Sequence, residues 1–182
     1  MLSRKIIASN IRNLTDARYF AAWMVEYMSF DITANSQSFI GPSNITEIID
    51  WLAGPEFIGN FCEHEDLAFV LENVKQLKLS GVITNQKVIL DNWNFDDGKL
   101  FYVVSEFELV RNLDTKIITK PEAVESFING GHEVYIDSKY FDLELLEDLG
   151  KRTNLCLEGG EEIKTGLKSF DELDDVFEFL AD

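Results

Sequence analysis

Lys120 is the residue of this chain with the sharpest chemical promise. A lysine withdrawn from water can give up its proton and attack a carbonyl carbon, and a carboxylate such as Asp137 could move the protons of that step. Pro121 follows directly, so Lys120 also reads as the solvated flank of a helix that opens there. The pair Gly159-Gly160 has the backbone freedom to turn N–H groups toward a phosphate. Glu158, Glu161 and Glu162 crowd that pair and would oppose a dianion, which makes a plain strand-to-helix turn the competing reading. Glu63 and Glu106 could share a divalent cation only if the fold brought them together. Cys62 and Cys156 are far apart, lack C-x-x-C spacing and lie in apolar runs, which predicts buried free thiols rather than a disulfide. His64 and His132 are the only histidines, so the sequence displays no metal framework.

Such side chains act together only when strand ends converge, and the chain has elements that could do this. Short β-rich runs alternate with amphipathic stretches along the whole length. Strands are predicted over 5–9, 27–32, 56–61, 81–84, 100–105, 116–119, 133–137 and 154–157. Helical spacing follows the first strand in Ala17, Phe20, Ala21 and Met24, and another helix opens near Pro42 with Ile45, Ile48, Ile49 and Leu52 inward. A long helix is predicted from His64 to about Leu79, and others over 107–113, 121–129, 142–152 and 170–180. Residues 87–98 are too irregular to assign.

Eight strands joined by crossovers of this length are what a closed parallel (β/α)8 TIM barrel requires, as one compact domain over residues 1–182. The length lies below the usual lower end of about 200 residues, which leaves a missing unit or an overcounted strand as the alternative. An open doubly wound sheet is the other fold to weigh. No G-x-G-x-x-G follows the first strand, so a dinucleotide is not expected, nor is any other cofactor.

A chain that is 46% apolar and 12% aromatic can bury one substantial core. Its net charge of -17, with no long run of Lys or Arg, argues against nucleic acid and against anionic membrane surfaces. The acidic surplus over 171–182 reads as a solvated helix face. At the start, Arg4 and Lys5 precede a very short apolar run broken by Ser9 and Asn10; neither a leader peptide nor a membrane span is indicated, and a cytoplasmic location is expected.

With the units laid out, the two ends of the chain resemble the phosphoribosylanthranilate isomerase family, cofactor-free (β/α)8 barrels of tryptophan biosynthesis. Residues Ile7-Ala8-Ser9-Asn10-Ile11 through Thr15-Asp16-Ala17 follow the family's opening K-I-C-G-I-t-x-x-e-D-A. Ser29-Phe30-Asp31-Ile32 and Ser36 to Pro42 follow its G-F-x-F and S-P-R-x-I-x-P, and Ile58-Gly59-Asn60-Phe61 echoes V-G-V-F. Glu158 to Ser169 resembles S-S-G-V-E-x-x-P-G-x-K-D. The middle of the chain matches by period alone.

The departures fall on the chemistry that the resemblance implies. The family's cysteine is the general base of an Amadori rearrangement of an aminoaldose to an aminoketose; Ser9 stands in its place and is a far weaker base. Asn10 replaces the adjoining glycine, and Ser38 replaces the arginine that holds the anthranilate part of the substrate. Val82-Ile83-Thr84-Asn85 lacks the polar pair of Q-L-H-G. Val134 to Ser138 resembles L-L-D-S, which carries the catalytic acid on the family's sixth strand, although Asp137 ends the seventh strand in the count above; a helix cap is its alternative role. The resemblance thus implies candidates Ser9 and Asp137 for chemistry, to which its place at a strand end adds Lys120, and Asn10, Ser38, Gly159 and Gly160 are the candidates for a small phosphorylated ligand. The losses favour a divergent barrel without the isomerase activity that binds a ligand or partner, with an active isomerase or another phosphosugar isomerase or aldolase as the alternative.

Overall fold

The computed structural model describes residues 2–33, 36–64, 66–140, 142–149, 152–159, 162–164, 167–168 and 170–181. Eight parallel strands close in chain order, β1 (Ile6–Ser9), β2 (Tyr27–Asp31), β3 (Glu56–Asn60), β4 (Gly81–Thr84), β5 (Lys99–Val103), β6 (Lys116–Thr119), β7 (Val134–Asp137) and β8 (Asn154–Glu158), and β8 pairs back onto β1. The chain is a (β/α)8 TIM barrel with every strand present, so the short length did not come from a missing unit. Around it lie α1 (Leu14–Ala22), α2 (Pro42–Trp51), α3 (Leu67–Gln76), α4 (Lys87–Asn92), α5 (Pro121–Asn129), α6 (Leu143–Leu149) and α7 (Asp171–Ala181). Between β8 and α7 the chain forms a small antiparallel hairpin, β9 (Glu162–Lys164) with β10 (Leu167–Lys168).

Economy was achieved in the crossovers. The helix expected over 107–113 is absent: the segment between β5 and β6 is irregular, with Phe107, Leu109 and Leu113 all exposed and only Val110 of that apolar set buried. Local polar groups compete for its backbone. The Asn112 side chain accepts from the Asp114 N–H at 2.9 Å, and the carbonyls of Val110 and Thr115 lie 3.2 and 3.1 Å from the two ring nitrogens of His132. Residues 87–98, unassigned above, contain the single-face helix α4 and a 3-10 turn over Phe95–Asp97. The helix expected from His64 starts later, where the Asp66 carboxylate accepts from the N–H groups of Ala68 and Phe69. It stops before Lys78, whose φ is 53°. The helix expected over 142–152 is shorter as well, spanning Leu143–Leu149.

Strand alternation divides the core in two. One residue from each strand, Ile7, Tyr27, Ile58, Ile83, Phe101, Ile118, Tyr135 and Cys156, packs into a cluster of its own inside the barrel. The opposite faces, such as Ile6, Ala8, Met28, Phe30, Val82 and Leu100, pack against the helices. The pairings do not close level around the barrel, so inward residues form rings drawn from alternate strands. Ile7, Ile58, Phe101 and Tyr135 make the central ring, and Ser29, Ile83, Ile118 and Cys156 the ring above it, toward the strand C-termini.

Candidate functional site

The same registers carry two further rings to the C-terminal mouth, Ser9, Asn60, Val103 and Asp137, then a rim of Asp31, Asn85, Lys120 and Glu158. Interior alternation therefore brings four of the sequence candidates to one opening or its edge: Ser9, Asn10, Lys120 and Asp137. This is the end of a parallel barrel where reactive groups gather, because the loops that follow the strands meet there.

On the β8–β1–β2 side the contacts are dense. Ser9 Oγ donates to the Leu157 carbonyl at 3.1 Å. Beside it the Cys156 thiol is pushed up to about 12 by burial, with the Asp137 charge adding to the effect and the Ser9 hydroxyl opposing it. Asn10 has φ 55°, the left-handed region, at the position where the resemblance puts a glycine; Asn tolerates that backbone better than most side chains. Its Nδ2 donates to Glu158 Oε1 at 2.9 Å, while its buried Oδ1 has no hydrogen-bond partner among the described residues. Ser38 is buried and accepts from Arg12 Nη2 at 3.1 Å, and the same guanidinium lies 3.8 Å from Glu158. A positive charge thus reaches Ser38 from the β1–α1 loop, although the Ser38 position itself carries none.

At the β2–β3 edge, the buried Asp31 carboxylate accepts from the Thr33 N–H at 2.9 Å and from Ser36 Oγ at 2.5 Å. Ser29, two rings deeper, is 0% exposed and its Oγ has no partner among the described residues. Cys62 packs near the interior cluster, and burial pushes its thiol up to about 12. Neither thiol is an ionised base at neutral pH.

The β6–β7 side is sparser. Lys120 is half-buried, has no ion-pair partner among the described residues, and sets its ammonium 5.5 Å from the centre of the Tyr140 ring. Asp137 Oδ1 accepts from the Lys139 N–H at 3.0 Å, the capping contact named above as its alternative role. Asp137 ends β7, and the residue that follows the sixth strand is Lys120. The two do not form a salt bridge.

Gly159 needs neither a left-handed backbone nor extra space: a Cβ there would meet Phe20 and Asp16 at ordinary contact distances of 3.7 and 3.8 Å. Gly160 lies outside the described residues. Glu63 and Glu106 are both exposed. Sequence reasoning missed Arg12 and Ser29. The period of β2, which puts Ser29 on the face of Tyr27 and Asp31, could have found the second; nothing local signals the first.

Clefts also lie away from the mouth, one of about 660 Å³ between α4 and the β5–β6 segment. Clefts of about 790 and about 500 Å³ open where the strands begin, the first lined by Lys5, Glu26, Glu56 and Asn154 and the second by Lys99, Lys116 and Glu133. The lysines there are all engaged by glutamates, Lys5 and Lys116 by Glu133 at 3.0 and 2.7 Å and Lys99 by Glu56 at 2.5 Å. Space with its charges already paired offers a ligand little, so the mouth is the stronger candidate.

Among the described residues no helix is long and apolar enough to cross a membrane. No family model matches the sequence, and no curated protein matches it by sequence. Solved structures do match in fold. The phosphoribosyl anthranilate isomerase of Thermus thermophilus is similar over 97% of this chain and 98% of its own, with TM-score 0.76 and 17% identity. Monomers derived from the dimeric phosphoribosylanthranilate isomerase of Thermotoga maritima give TM-score 0.78 and 13% identity over 98% of each chain. A phosphoribosyl anthranilate isomerase in complex with reduced 1-(o-carboxyphenylamino)-1-deoxyribulose 5-phosphate gives 0.77 and 13%, again over 98% of each. At such identities the likeness is one of fold.

Proposed function

We propose that this chain is a phosphoribosylanthranilate isomerase-like barrel that does not carry out the isomerisation and instead binds a small, phosphorylated ligand at its C-terminal mouth. One observation carries the reading. The side chain in the place of the general base is a serine whose proton is committed to the Leu157 carbonyl, and the nearest thiol, Cys156, is held protonated by burial. Proton abstraction from a sugar carbon needs a base within reach that is free to accept at neutral pH, and this pair supplies none. Support for a phosphorylated ligand comes from the similar enzyme that binds a deoxyribulose 5-phosphate, and from Arg12 beside Ser38.

Arg12 also gives the alternative, an active isomerase, its best support, since a guanidinium near Ser38 could hold a substrate carboxylate. Complementation decides between them. Expressed in a tryptophan auxotroph that lacks the isomerase, the chain is expected to leave growth unrestored. Growth restored by the wild type and lost on Ser9→Ala or Asp137→Asn would overturn the reading.

A further inference from the structure

We propose that Lys120 is a carbonyl-reactive amine and that the mouth captures a short hydroxyaldehyde or hydroxyketone as an imine on its Nζ. The inference rests on the mouth being the ligand site and names the chemistry of what enters it.

Four features single out this lysine. Ile118, two residues earlier, belongs to the interior cluster, so strand alternation turns Lys120 into the rim of the mouth rather than outward to the helices. Lys5, Lys99 and Lys116 also point inward, but at the opposite end, and each is held by a glutamate; Lys120 has no ion pair among the described residues. Its Nζ lies 5.5 Å from the centre of the partly exposed Tyr140 ring, not against a carboxylate. Its backbone is extended, with φ -85° and ψ 159°, and Pro121 begins α5 at once, which fixes the stem at the edge of the opening.

The surroundings suit a small polyol carbonyl. Ser9 and Asn60 share the ring just below, the buried Asp31 shares the rim, and two rings below the rim Ser29 Oγ has no hydrogen-bond partner among the described residues. These groups can hydrogen-bond hydroxyls. On the neighbouring strand, Asp137 uses one oxygen for the Lys139 N–H and has the other for proton transfer through water.

The step balances without a further reactant. After the Lys120 ammonium gives one proton to water, the Nζ lone pair adds to the carbonyl carbon, the C=O electrons move to oxygen, and that oxygen takes up a proton lost from nitrogen. The C–O bond of the carbinolamine then breaks, water leaves with a second proton, and the nitrogen lone pair closes the C=N bond. Amine and carbonyl compound become imine and water.

Reductive trapping tests this on the intact chain. Incubation with glyceraldehyde or dihydroxyacetone and cyanoborohydride, followed by peptide mass mapping, is expected to place one reduced adduct on Lys120 about tenfold faster than on exposed lysines. Lys120→Arg, which keeps the charge but not the nucleophile, is expected to remove that adduct, and Lys139→Arg to leave it. Labelling spread evenly over surface lysines such as Lys75 and Lys78, or undiminished in Lys120→Arg, would overturn the inference. So would a rise in melting temperature with the carbonyl compound that persists in Lys120→Arg without any adduct, an outcome that leaves the ligand-binding reading standing.

Discussion

At the N-terminal end of the barrel, Glu133 accepts from Lys5, Lys116, the Tyr135 hydroxyl at 2.8 Å and Asn154 Nδ2 at 3.3 Å, so each polar group that enters the interior meets a partner. At the C-terminal end, among the described residues, Lys120 has no carboxylate partner and the buried Ser29 Oγ and Asn10 Oδ1 have no hydrogen-bond partner. Burial raises the Glu133 carboxyl, but the hydrogen bonds from Lys116, Lys5 and Tyr135 outweigh it and hold the group below the ordinary carboxylate range. Paired charges close one end of the barrel as a plug. Polar groups without a protein partner at the other end are ones that a ligand could satisfy. Strand β6 shows the contrast within five residues, with Lys116 bonded to Glu133 at its start and Lys120 facing a tyrosine ring just past its end.

The largest expected effect comes from pulling the plug. Glu133→Gln leaves two inward lysines without their anion and is expected to cost about 2–3 kcal/mol in urea unfolding at neutral pH, after allowing for partial exposure. Because the folded-state carboxyl lies below its ordinary value of 4.5, this contribution is complete above that pH and is lost as pH falls through the lowered value. The gap between wild type and Glu133→Gln should therefore narrow on acidification below pH 4.5. A gap that stays constant would mean the loss arises from packing rather than charge.

The same substitution at the two ends of β6 sharpens the comparison. Lys116, with its side chain 17% exposed, is expected to cost about 1–2 kcal/mol as Lys116→Met, whereas Lys120→Met should change stability by no more than about 0.5 kcal/mol. Equal losses would show that the mouth is as structural as the plug. A smaller effect is expected at the β1 end. Asn10→Ala puts a less tolerant side chain at a positive φ and should cost about 1 kcal/mol, and Asn10→Gly, which relaxes the backbone but gives up the bond to Glu158, should stay within about 0.5 kcal/mol of wild type by thermal unfolding.

Much of the fold could be read before any coordinates, because its signals are local. Each strand is a short β-rich run bounded by polar or glycine residues, and all eight fall within two residues of their expected limits. The helix misread over 107–113 had its apolar spacing, but His132, distant in sequence from Val110 and close in space, sets a ring nitrogen 3.2 Å from the Val110 carbonyl, and of the apolar residues there only Val110 is buried. The six-residue α4 was missed because it is too brief to show a period. Of the mouth, Ser9, Asn10, Lys120 and Asp137 were legible as strand-end residues of a parallel barrel. The meeting of Arg12 with Ser38 was not, since no motif links two loops that follow different strands.

The sequence by itself determined the alternation of strand and helix and the parallel barrel it implies, both properties of residue type and short-range period. Only the tertiary structure decided which polar groups meet. Register around a closed barrel sets that outcome: it delivers Lys5 and Lys116 to Glu133 at one end, and at the other sets Lys120 against Tyr140 with no carboxylate partner among the described residues.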